Sequence, residues 1–155
     1  PHLYVVKSIS KSYGVPGLRL GILAGGDTET IRKMKKEASI WNINSFAEFF
    51  LQIEEKYRKD YVKGLELLRA ERKRFAAELA KIPGLRVIPS QANYLMVELT
   101  GNMTAEELTQ KLLIHHQIFV KDLTKKMKGG NYLRFAIRTT EDNNQLLSAI
   151  RGLLR

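Results

Sequence analysis

Ser8-Ile9-Ser10-Lys11-Ser12-Tyr13-Gly14-Val15-Pro16-Gly17-Leu18-Arg19-Leu20-Gly21 is the most informative stretch of this chain of 155 residues. Residues 3–9, Leu-Tyr-Val-Val-Lys-Ser-Ile, are rich in β-formers and predict a buried strand. Gly14, Pro16 and Gly17 punctuate a loop, and Leu18–Leu23 predicts a second strand closed by Gly25-Gly26. The first strand therefore carries Ser8, Ser10 and Lys11 into a tight loop, and Arg19 stands at the start of the next strand. Hydroxyls and a planar guanidinium suit a phosphate through charge-assisted hydrogen bonds. An amine beside them can act as a nucleophile when its surroundings keep it partly neutral. Taken one residue at a time, an ordinary solvated lysine in a Ser/Gly surface loop is the better account, because lysine in such loops is common.

Outward from this stretch, Asp27 or Thr28 is placed to cap a short helix through about Lys36. Ser45 and Glu48 form a capping-box pattern that opens the longest helical periodicity, carried by residues such as Phe46, Phe49, Phe50, Tyr57, Tyr61 and Phe75. Pro83-Gly84 ends it. At about 1.5 Å per residue, a helix from Ser45 to Lys81 would reach roughly 55 Å, which suits a link between two packed units with a break near Gly64. Beyond it, Leu85–Ile88, Asn93–Leu99, Ile118–Lys121 and Tyr132–Arg138 predict strands. Thr104, with Glu107 as reciprocal partner, caps a helix through about His115, and Thr139 or Thr140 opens a last one through about Leu154. The fold class expected is α/β, with a two-layer α+β small domain of sheet on one side and helices on the other. Three segments follow: 1–40 with the lysine loop, 41–82 as a long interdomain helix, and 83–155 as a small α/β domain.

Composition narrows the partners. Apolar residues make up 44% of the chain, enough for a core. Cysteine is absent, which excludes disulfides and Cys-based zinc and points to a reducing, cytoplasmic setting. No apolar run approaches the roughly 20 residues of a membrane span. The net charge of +10 gathers in groups such as Arg32, Lys33, Lys35, Lys36 and Lys125, Lys126, Lys128. No nucleic-acid motif surrounds them, so they read as solvated faces. His115-His116 are adjacent, cannot share one helical face, and suit a helix C-terminus better than a metal site. Trp41 reads as a staple at the helix entry. The start at Pro1 reads as a chain cut from something longer.

The complete lysine string closely resembles the class I/II aminotransferase motif Ser-x-Ser-Lys-x-Tyr/Phe-Gly-x-x-Gly-x-Arg-x-Gly. The match covers both hydroxyls before Lys11, the Tyr13-Gly14 pair and the arginine eight residues on. A second segment, Tyr132-Leu-Arg134-Phe-Ala-Ile-Arg138-Thr-Thr-Glu-Asp-Asn143, resembles the strand-to-helix passage near the end of the same family. Ser90-Gln91-Ala92-Asn93-Tyr94 and Phe119-Val120-Lys121-Asp122 resemble segments of the branch that holds histidinol-phosphate aminotransferases and threonine-phosphate decarboxylases. In that branch Arg-Asp stands where this chain has Lys121-Asp122, so a planar fork is exchanged for a point charge.

The resemblance implies fold type I, pyridoxal 5′-phosphate (PLP) as cofactor, and Lys11 as the residue joined to it as a Schiff base. It implies that Ser8 and Arg19 bind the cofactor phosphate and that Ser10 helps or orients the lysine. It gives Arg134 the substrate α-carboxylate, with Asn93 and Lys121 as further substrate contacts. Tyr13 packs rather than reacts. The activity implied is transamination between an amino acid and a 2-oxo acid in a homodimer, with decarboxylation of the threonine-phosphate type as the alternative. Residues 1–40 are the implied C-terminal remnant of the family's PLP-binding large domain; the part that precedes the lysine and supplies the pyridine-nitrogen aspartate has no counterpart in residues 1–155, so this piece alone is expected to be inactive. A non-catalytic dimerisation or interaction module is the rival of another class.

Overall fold

A computed structural model describes residues 3–154. They divide into two compact units meeting between Lys63 and Gly64. In the first, β1 (Tyr4–Ser8) and β2 (Gly21–Gly25) form an antiparallel ribbon in the register Tyr4↔Gly25 to Ser8↔Gly21. Gly25 is required there, because a Cβ would lie 2.6 Å from the Tyr4 ring. Between the strands, Ile9–Ser12 form one helical turn, α1, and Pro16–Leu18 a 3-10 turn. Lys11 thus sits in a turn of helix, a correction to the expected loop. Arg19 lies outside β2, in the left-handed region at φ 55°, because the second strand starts only at Gly21.

Asp27 caps α2 (Thr28–Glu37), its carboxylate accepting from the Glu29 and Thr30 amides. The cap of α3 (Ser45–Ile53) is Asn44, not the expected Ser45; its Oδ1 accepts from Ala47 N–H at 3.0 Å. The single long helix is also corrected. A 3-10 segment, Glu54–Tyr57, separates α3 from α4 (Arg58–Ala80), and α4 runs unbroken through Gly64. The apolar stripe was read across that break, and part of it stays in solvent: Phe46 and Phe49 are exposed, whereas Phe75 and Leu79 are fully buried. Trp41 is 88% exposed and staples nothing among the described residues.

The second unit is a two-layer α/β sandwich. β3 (Leu85–Ile88), β4 (Tyr94–Leu99), β5 (Lys121–Asp122) and β6 (Tyr132–Ala136) form an antiparallel sheet in the order β3-β4-β6-β5. Strand alternation turns Leu95, Val97, Leu99, Leu133 and Phe135 into the core. There they meet Phe75 and Leu79 of α4, Leu108 and Leu112 of α5 (Ala105–His116), and Leu147 and Ile150 of α6 (Thr140–Leu153). The expected capping box of Thr104 and Glu107 is present, Thr139 caps α6, and His115-His116 close α5 before a left-handed Gln117. β5 is shorter and later than expected, and β6 stops at Ala136, so Arg138 is not on the strand.

One partly buried carboxylate ties this unit together. Glu71 accepts from Arg74 Nη2 (2.7 Å), Asn143 Nδ2 (2.8 Å) and Thr140 Oγ1 (3.0 Å), joining α4 to the start of α6. The Arg74 hydrogen bond holds the Glu71 carboxyl down at about 2, below its usual value, against the opposing effect of burial. A depressed pKa stabilises the fold above the unfolded-state value and loses that contribution as pH falls through the folded one. We expect Glu71→Gln to cost about 2 kcal/mol at pH 7. In urea melts of the second unit's transition at pH 7, 5 and 3, the gap to the natural protein should be full at the first two and narrowed at the third. An equal gap at all three would contradict this.

Candidate functional site

The lysine turn is built by its flanks. Ile9 is the inward anchor, packed with Leu20 and Ala47, and its N–H donates to Leu20 O at 3.3 Å, one more rung beyond Ser8↔Gly21. Continuing that ladder brings Ser8 and Arg19 to the same end of the ribbon, with Lys11 in the turn between them. Ser8 occupies the N-cap position of the turn, yet its hydroxyl makes no capping hydrogen bond. Ser8, Lys11 and Arg19 are exposed, whereas Ser10 is buried beside Ile9. Of the two serines, Ser8 therefore meets the open side and Ser10 the interior.

The αL turn of Arg19 is held from both sides. Its Nη1 reaches Pro16 O at 3.4 Å, and Asn44 Nδ2 donates to Leu18 O at 3.1 Å. Asn44 thus fixes the loop before Arg19 with one end of its amide and caps α3 with the other. Sequence reasoning missed this residue, because the Ser45/Glu48 spacing one position later drew the cap. A concavity of about 800 Å³ beside Trp41, Leu51 and Gln52 is lined by none of Ser8, Ser10, Lys11 and Arg19.

The remaining candidates belong to the second unit. Arg134 and Lys121 are cross-strand partners on β6 and β5, both exposed. Arg134 lies on the sheet face away from the helices, and its guanidinium stands 5.1 Å over the Tyr94 ring. That contact holds the guanidinium on the strand's open face. A cavity of about 550 Å³ is bordered by Lys121, Arg134, Arg138 and Asp142. Arg138 is drawn off by an ion pair from its Nε to Asp142 at 2.9 Å, and its backbone N–H donates to Asn143 Oδ1. Asn93 precedes β4; its carbonyl accepts from Ile137 N–H at 2.9 Å and its side chain is exposed. The turn before β4 is closed instead by Ser90, whose hydroxyl donates to Tyr94 O at 2.7 Å.

With this geometry in view, comparison with known proteins gives a family. The family described as aminotransferase class I and II matches residues 1–150. The chain belongs to it. The fold is α/β of fold type I, and the family's cofactor is PLP. A CMP-5′-(3-aminopropyl)phosphonate synthase from Streptomyces rubellomurinus is 40% identical over 99% of the chain and 25% of its own length. An L-serine phosphate decarboxylase from Sulfurospirillum multivorans is 32% identical over 100% of the chain and 40% of its own length. The crystal structure of the histidinol-phosphate aminotransferase from Clostridium acetobutylicum superposes with TM-score 0.86 at 30% identity, covering 98% of the chain and 46% of that protein. The chain therefore spans less than half the length of these relatives.

The residues present fit PLP. An exposed amine, a hydroxyl free of capping and a guanidinium with donors to spare at one end of a ribbon match a phosphorylated aldehyde. The double role of Asn44 has a measurable consequence. We expect Asn44→Ala to lose the α3 cap, costing about 1 kcal/mol, and to free the Leu18 carbonyl. Asn44→Asp should keep the cap and lose only the Leu18 contact. Thermal melts together with PLP affinity separate the two effects: both variants should bind PLP more weakly, and only the alanine should melt earlier. Unchanged PLP affinity in both would contradict the assignment.

Proposed function

We propose that the intact protein uses PLP to decarboxylate an amino acid that carries a distal phosphoryl or phosphonyl group. The observation that carries this reading is the cross-strand pair of Lys121 and Arg134, two exposed cations side by side on one sheet. A doubly charged anion suits such a pair. The relatives support the same direction: one is named for L-serine phosphate decarboxylation and another for making a 3-aminopropyl phosphonate.

Ser8 and Arg19 hold the cofactor phosphate, and Ser10 orients the turn. Lys11 would hold the cofactor at its aldehyde. When bound, the cofactor supplies an electron sink for the pair released at the substrate Cα. Lys121 and Arg134 would grip the distal anion and leave the α-carboxylate free. The Lys11 ammonium then returns a proton to Cα as CO₂ departs. Asn93 is a further substrate contact at the start of β4.

Transamination is the second reading, favoured by the likeness to a histidinol-phosphate aminotransferase. There Arg134 would grip the α-carboxylate instead, and Lys11 would move the Cα proton. Residues 1–155 alone are proposed to be inactive. Among the described residues, Ile9, Leu20 and Ala47 form a small buried cluster around the lysine turn, with Tyr13, Leu18 and Phe50 against it, and both faces of the β1–β2 ribbon are largely exposed. The intact protein is proposed to be a homodimer.

The test is product analysis of the intact protein with PLP and L-serine phosphate as probe. Decarboxylation releases CO₂ and the phosphorylated amine; transamination releases a 2-oxo acid in proportion to added acceptor. Lys11→Ala should lower either turnover by about 10³-fold. Arg134→Gln should lower kcat/KM by about 10- to 100-fold. Full activity in Lys11→Ala would end both readings, and a 2-oxo acid as sole product would select the second.

A further inference from the structure

We infer that Tyr61, in the first turn of α4, is a positioning residue for Lys11 that acts through Tyr13. This rests on the reading of Lys11 as the cofactor lysine. The Tyr13 and Tyr61 rings are stacked, centroids 4.3 Å apart and planes within 2°. Phe50 of α3 meets the Tyr13 ring edge-on at 6.1 Å and 88°. Tyr13 is therefore clasped between two helices, in the two geometries that aromatic pairs favour.

The clasp matters because of where Tyr13 stands. Its N–H donates to Ile9 O at 3.0 Å and closes the single turn of α1, and Gly14 N–H donates to Lys11 O at 3.3 Å. Gly14 then leaves the turn at φ +69°, a conformation open to glycine. A four-residue helix is too short to hold itself. Lys11 is therefore held at two points, by Ile9 in the small core before it and by the Tyr13 ring after it. Between them the lysine side chain is left exposed. Burial, with the Glu54 carboxylate nearby, pushes the Tyr13 phenol up from its ordinary value. At neutral pH it is uncharged, as a packing ring should be.

The test uses the intact protein, first without cofactor. Hydrogen exchange at the Tyr13 and Gly14 amides reports the turn, and exchange at Leu95 and Val97 in β4 reports the second unit. Tyr61→Phe keeps a ring for stacking; Tyr61→Leu keeps apolar volume without a planar face; Tyr61→Ala removes both. We expect Tyr61→Ala and Tyr61→Leu to speed Tyr13 and Gly14 exchange about tenfold with β4 unchanged, and Tyr61→Phe to match the natural protein. The second readout is the rate at which added PLP becomes bound to Lys11, followed by its visible absorption, with Lys11→Ala as control. It should slow about tenfold in the alanine and leucine variants. Unchanged exchange and capture in both variants would overturn the inference, as would equal acceleration in β4. If Lys11→Ala still captures PLP covalently, the cofactor-lysine reading fails, while the amide data still judge the clasp.

Discussion

The antiparallel pairing of β1 with β2 is the constraint on which the site depends. Its last rungs, Ser8↔Gly21 and Ile9 N–H to Leu20 O, set the ends of a connection that must return within about a dozen residues. Helical and 3-10 turns, a glycine at positive φ and an arginine in the αL region fill that connection. A one-residue slip in the register would turn every side chain of the strand to the other face. The identity of the lysine matters chemically, but its place is a consequence of the ribbon.

The second unit reaches order by different means. Its sheet buries one face against three helices, and the opposite face is free to carry charge. Arg134 and Lys121 occur on that face because β5 and β6 pair antiparallel, and Tyr94 reaches the guanidinium because β4 lies on the other side of β6. Glu71 secures the helical layer by satisfying three side-chain donors at once. A partly buried carboxylate so fully bonded stabilises the unit, whereas one stripped of its partners would destabilise it.

Much of this was legible in the chain. Period-two patterning located the core strands of the second unit, and Thr104 with Glu107, like Thr139, marked helix starts by side-chain chemistry alone. The lysine string and the Arg134 segment identified the family before any coordinate. What escaped was non-local. Asn44 outcompeted Ser45 as cap because it also reaches Leu18, a contact 26 residues away that no local spacing reveals. The long helix was overread because apolar recurrence passes through Glu54–Tyr57 without a proline or glycine to mark the 3-10 segment. Arg138 was set on a strand by alternation that the chain abandons at Ala136, where its Asp142 pairing begins the next helix instead. Trp41 is exposed rather than packed as the staple expected of it.

The most direct measurement asks where the cofactor is covalently held. The intact protein is incubated with PLP, reduced with borohydride, digested and mapped by mass spectrometry. The account predicts a phosphopyridoxyl group on the peptide containing Lys11 and on no other lysine at comparable occupancy. A label spread over exposed lysines such as Lys125 and Lys126, or concentrated on one outside the Ser8–Arg19 turn, would contradict it.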